Sequence, residues 1–118
     1  MASSSFVNSK VRVAIVGKSL DEYTFTMVDE SKIGEALRAF FGCDDIDYEE
    51  LSLAHTFYYG TGGNNQRLGW KVLVRSNDDG SRLVDVTEHD VRQLPCIIRE
   101  NEEKRAAFSA LLDTHTDV

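Results

Sequence analysis

Apolar and polar positions alternate with period two near the start of the chain. Val11, Val13 and Ile15 interleave with Arg12 and Ala14, and Tyr23, Phe25 and Met27 interleave with Thr24 and Thr26. Successive strand side chains point to opposite faces, so each run reads as a strand. The stretch 17–22 between them is turn-like, which makes the first unit a hairpin. The period then changes. Ile33, Ala36, Leu37, Phe40 and Phe41 recur at the three- and four-residue spacing of an amphipathic helix. Asp29 and Glu30 suit its positive N-terminal end, Ser31 is the expected cap, and Gly42 is placed to end it.

Beyond an acidic connection at 44–50, alternation resumes. Leu51, Leu53, His55, Phe57 and Tyr59 share one face of an expected strand, with Ser52, Ala54, Thr56 and Tyr58 on the other. Trp70, Val72 and Val74 mark the next strand. Asn77-Asp78-Asp79-Gly80 is a tight-turn signal, and 83–87 returns as a further strand. Thr87 is the expected cap of a short helical turn, and Pro95 marks a break near Leu94. Asn101 is the expected cap of a last helix, whose narrow apolar seam is Phe108, Leu111 and Leu112. The order ββαβββα predicts an α+β fold. It has one antiparallel sheet, one helix packed on it and a C-terminal helix. Residues 10–113 read as a single domain between flexible ends at 1–9 and 114–118.

Composition narrows the partners. The 118 residues are 42% hydrophobic, ordinary for a folded domain with one core. Twenty acidic against thirteen basic residues leave a net charge of -7. Such a field repels phosphate backbones, which disfavours general nucleic-acid binding and favours a protein partner with a basic surface. Cys43 and Cys96 form no C-x-x-C pair and no disulfide framework, and Cys96, beside Ile97 and Ile98, is expected in the core. No run approaches the roughly 20 apolar residues of a membrane span, and the first residues lack the apolar core of a secretory signal. The expected location is therefore the cytoplasm, that of a host cell if the protein is viral.

Two surfaces carry candidate chemistry. The first is the glycine-rich stretch and its flanks: Tyr58, Tyr59, Gly62, Gly63, Asn64, Arg67 and Trp70. Backbone N–H groups there can cradle a phosphate, Arg67 can pair with it, and a tyrosine can stack on a base. The stretch follows a strand and opens no helix, so it is neither a P-loop nor a dinucleotide fingerprint, and a plain hairpin tip is the competing reading. The second is the acidic run Asp44, Asp45, Asp47, Glu49 and Glu50, which reads as a docking patch for a basic protein surface. It starts like a calcium loop, but Glu50 occupies the position that needs glycine. His55 is expected in the core with one hydrogen bond. Arg67, Arg75, Arg82 and Arg92 either converge on an anion or scatter into surface pairs.

No cofactor or metal is implied. The leading expectation is a small acidic, non-enzymatic protein that occupies or inhibits a protein partner, in the manner of a viral, phage or bacterial accessory factor. One alternative is a small-ligand binder that sequesters a nucleotide-like or phosphorylated molecule on the glycine-rich loop. Another is a hydrolase using His89 with Asp90 or Glu88. The C-terminal helix is also a candidate for self-association.

Overall fold

The computed structural model describes residues 10–63, 65 and 67–116, with the backbone alone for 113–116. Among the described residues, six strands form one antiparallel sheet. They are β1 (Lys10–Val16), β2 (Tyr23–Asp29), β3 (Ile46–Glu50), β4 (His55–Gly60), β5 (Lys71–Ser76) and β6 (Leu83–Val84). The helices are α1 (Ile33–Phe41), α2 (Glu88–Arg92) and α3 (Leu94–Thr116). The strand order is β2-β1-β5-β4-β3, with β6 also on β5. The fold is α+β, as the periodicities predict.

Both faces of the sheet are covered. Val11 and Val13 of β1 and Val72 and Val74 of β5 meet Leu37 and Phe41 of α1. The alternate residues Ala14, Val16, Phe57 and Leu73 meet Val91 of α2 and Leu94 of α3 on the opposite face. The strict period of two sends neighbouring residues of one strand to different cores. β5 runs through the middle, pairing with β1 over 71–73, with β6 over 75–76 and with β4 along its other side.

Local chemistry sets the element ends. The Asp29 carboxylate, rather than Ser31, accepts the first N–H, that of Ser31 at 3.1 Å, and starts a 3-10 turn that leads into α1. Gly42 ends α1 at φ 69, in the left-handed region that suits glycine. Thr87 and Asp90 form a reciprocal capping box on α2.

Four expectations are corrected. The acidic stretch is the edge strand β3, and the single strand expected at 51–59 is instead a turn followed by β4; Leu53 stands fully exposed at the turn. An edge strand tolerates Asp47 and Glu49 because one of its sides is solvated. Pro95 does not break the last helix but lies in its first turn, where its missing N–H has no intrahelical use, so α3 begins well before Asn101. Cys96 is exposed on α3, whereas Cys43 is buried.

Candidate functional site

The glycine-rich loop is organised by its own side chains. Asn65 donates from Nδ2 to the Gly60 carbonyl at 2.8 Å and accepts the Arg67 N–H at 2.9 Å. The Thr61 N–H reaches the Asp45 carbonyl at 2.9 Å. A Cβ on Gly60 would lie 2.9 Å from both the Asn65 amide and Cys43 Sγ, so this glycine is fixed by close packing. Gly63 faces open space, and Asn64 lies outside the described residues.

The loop's aromatic flanks part company. Tyr58 packs on the α1 face, where burial pushes its hydroxyl up, with Tyr48 and Glu50 adding to the effect. Tyr59, one residue on, projects to the other face beside Lys71 and Arg105. Arg67 and Trp70 do come together. They line an open cleft of about 450 Å³ with Ile15, Glu22, Tyr23, Thr24 and Phe40, and Arg67 stacks on the Phe40 ring at 4.8 Å. A smaller apolar cavity of about 190 Å³ shares Ile15 and Phe40 with that cleft and runs beneath α1. Arg75, Arg82 and Arg92 do not converge with Arg67. They pair with Asp90, Glu30 and Glu88 respectively.

The acidic run forms a ridge along one margin of the sheet. Asp44, Asp45, Asp47 and Glu50 are exposed, and Glu49 is held by Arg105 of α3 at 3.1 Å. Thr61 N–H to Asp45 O and Leu51 N–H to His55 O show that odd-numbered residues bond toward β4. Even-numbered residues of β3 therefore aim their N–H and C=O outward. The Asp47 carboxylate accepts the outward Tyr48 N–H at 2.8 Å. The ridge thus blunts its own strand edge with charge.

α3 crosses the sheet and leaves it beside this ridge. Leu94, Ile97 and Ile98 anchor its first turns in the core. From Glu102 to Leu112 every residue is exposed. Ile97, Phe108, Leu111 and Leu112 fall on one side of α3, but Asn101 and Lys104 lie between them on that side, so the apolar patch near the end of the helix is separate from the turns that seal the core. Phe108, Leu111 and Leu112 are 61%, 55% and 48% exposed.

Sequence reasoning missed a buried polar network on the α2 side. Asp90 is 6% exposed. It accepts from His55 Nε2 at 3.0 Å, from the Thr87 N–H at 2.7 Å and hydroxyl at 2.9 Å, and from Arg75 at 3.3 Å. Burial alone would raise the Asp90 carboxyl. The His55 and Thr87 hydrogen bonds, with the Arg75 charge, outweigh it and hold the group at about 2. On the far side of the imidazole, Ser52 Oγ lies 2.8 Å from Nδ1.

Serine, histidine and carboxylate are thus in line. However, Ser52 Oγ already accepts the Ala54 and His55 N–H groups at 3.2 and 3.1 Å. Its proton is what remains for Nδ1, and both its lone pairs are engaged. The array bolts the β3–β4 turn to β5 and α2. His89 is exposed and takes no part in it. His55 stands two residues before Phe57 in the alternation, which reveals its burial; its partner 35 residues away leaves no local signal.

Among the described residues no cluster of three or more His, Cys, Asp or Glu side chains is placed to hold a metal ion, and no helix is long and apolar enough to cross a membrane. No protein-family model matches the chain, and neither a curated protein nor a solved structure matches it.

Proposed function

We propose that this chain is a non-enzymatic binding protein that occupies a protein partner. Its working surface is the projecting part of α3 together with the acidic ridge on β3. One observation carries the reading: beyond the core, α3 presents Phe108, Leu111 and Leu112 together on one side, all exposed. An isolated helix shorter than about 12–15 residues is marginal in water, so this segment gains from a partner that covers the seam. Asp44, Asp45, Asp47 and Glu50 lie on the ridge that α3 passes, so the complementary partner has an apolar seam flanked by basic residues.

A synthetic helix of leucine and lysine at amphipathic spacing is the direct probe. Binding is expected to weaken with salt, and to be lost both in Leu111→Ser/Leu112→Ser and in Asp44→Lys/Asp45→Lys/Asp47→Lys. The leucine variant keeps the charge. Unchanged binding in it means the peptide is attracted by net charge alone and overturns the reading.

A second reading has its own observation, the meeting of Arg67, Trp70 and Phe40 at a cleft that shares Ile15 and Phe40 with an apolar cavity. The aromatics suit the planar body of a small ligand and the guanidinium its anionic group, as in a nucleotide-like molecule. Native mass spectrometry of the purified protein tests it: a retained small anion that disappears in Arg67→Ala supports this reading.

A further inference from the structure

The two margins of the sheet are treated differently. β3 presents acids and covers its Tyr48 N–H with Asp47. β2, at the opposite margin, is seven residues long and carries no charge from Tyr23 to Val28. It has no proline and runs in unbroken register with β1. Proteins ordinarily blunt such edges with charge, proline, a bulge or a covering element.

Hydrogen-bond parity shows what this margin offers. Gly17 donates to the Glu22 carbonyl, which makes Gly17 and Glu22 a bonded pair and carries the alternation to Ile15–Thr24, Val13–Thr26 and Val11–Val28. Arg12, opposite Met27, confirms the phase: its N–H goes to Asp85 and its carbonyl takes the Val86 N–H, both on the side away from β2. Tyr23, Phe25 and Met27 therefore aim their N–H and C=O groups outward.

We infer that this edge pairs with the same edge of a second copy, in an antiparallel two-fold arrangement centred on Phe25. The segment Tyr23-Thr24-Phe25-Thr26-Met27 reads nearly the same in reverse. Two-fold pairing sets Phe25 against its own copy, Thr24 against Thr26, and Tyr23 against Met27. Each is a favourable cross-strand combination: aromatic with aromatic, threonine with threonine, and ring with sulfur.

The three outward-facing residues meet as hydrogen-bonded pairs with two bonds each. Met27, 52% exposed in the single chain, is covered. Tyr23 and Phe25 are already set edge-to-face at 5.7 Å, and Arg12 stacks on Phe25 at 4.6 Å from behind, so the contacting rings are held before association. Glu22 and Asp29 flank the uncharged run, with Asp21 one residue further out, and confine the pairing to Tyr23–Met27. The acidic β3 edge has no comparable option, because pairing it with itself sets Asp47, Glu49 and Glu50 among like charges.

Sedimentation velocity of the full chain across a dilution series tests the inference. The wild type is expected to be a dimer that dissociates on dilution. Met27→Pro removes an outward N–H that β1 does not use, and it should give a monomer with unchanged circular dichroism. If that variant fails to fold, Thr24→Lys/Thr26→Lys serves instead: both threonines are exposed, and their pairing sets lysine against lysine across the axis. Phe108→Lys, on α3, should leave the dimer intact.

Amide exchange supplies a second reading, with Tyr23, Phe25 and Met27 protected in the wild type and fast in the monomeric variant. A wild type monomeric at every concentration overturns the inference. So does a dimer that survives Met27→Pro and Thr24→Lys/Thr26→Lys, or one lost in Phe108→Lys.

Discussion

Asp90→Asn isolates the charge at the centre of the buried network. The asparagine keeps the shape of the side chain and resembles the protonated acid. In the native protein the carboxyl is held at about 2, against an ordinary value of 3.8. At about 1.4 kcal/mol per pH unit, this favours the folded state by about 2 kcal/mol at neutral pH. Because the folded value is the depressed one, that contribution is complete above about pH 4 and is lost as the pH falls toward about 2; near pH 3 about half remains. Urea unfolding followed by far-UV circular dichroism and by the fluorescence of Trp70, the single tryptophan, is the assay. Asp90→Asn is expected to be about 2 kcal/mol less stable than wild type at pH 7, with the gap closing in acid. Three further carboxylates are also held low: Asp29 by the Ser31 hydroxyl, Glu30 by the Leu83 N–H and Asp79 by the Ser81 hydroxyl. They titrate in both proteins and cancel from the difference. A gap that is negligible at pH 7, or one that does not change with pH, refutes the argument.

Other substitutions probe other parts of the fold. Gly60→Ala places a Cβ against Cys43 Sγ and the Asn65 amide; a loss of about 1–3 kcal/mol is expected in thermal melting. Thr87→Ala removes the cap of α2 and should cost about 1 kcal/mol in urea unfolding. Gly80→Ala forces a side chain into φ 73 at the β5–β6 turn, for a loss of about 1 kcal/mol by the same assay. Arg105→Ala breaks an exposed pair with Glu49 and should change stability by less than about 1 kcal/mol.

The architecture was legible where neighbouring residues decide it. The period-two runs at 11–15, 23–27 and 70–74 and the helical stripe at 33–41 are local patterns, and each became the element it announced. The errors fell where a partner distant in sequence decides. The run 46–50 is a strand because β4 pairs with it residue by residue, from Ile46 with Gly60 to Glu50 with Thr56; charge alone made it look like a loop. Pro95 reads locally as a stop because its place in the first turn of α3 depends on where the preceding capped helix ends.

The candidate sites were legible as residue types but not as groups. Arg67 and Trp70 meet through Phe40, which arrives from α1, and Tyr58 and Tyr59 are parted by the alternation that made them adjacent. The Asp90 network joins residues from 52 to 90, a span that no local window covers.

The central seam between β1 and β5 governs how this chain reaches its fold. β1–β2 and β3–β4–β5 are each local assemblies, whereas Ala14 opposite Leu73 joins positions 59 residues apart. Pairing across such a separation closes a long loop before the contacts formed can compensate, which slows folding. The β1–β2 hairpin is made with Ala14 and Val16 lacking Leu73, Val91 and Leu94 until the segment from Lys71 to Leu94 follows, whereas α1 can cover Val13 sooner. Completion therefore waits on that segment, and until then the uncharged β2 margin is flanked by bare core surface. Reduced packing at Ala14 or Leu73 should thus act chiefly on the rate of folding, whereas changes at the β5–β6 turn should act on the rate of unfolding.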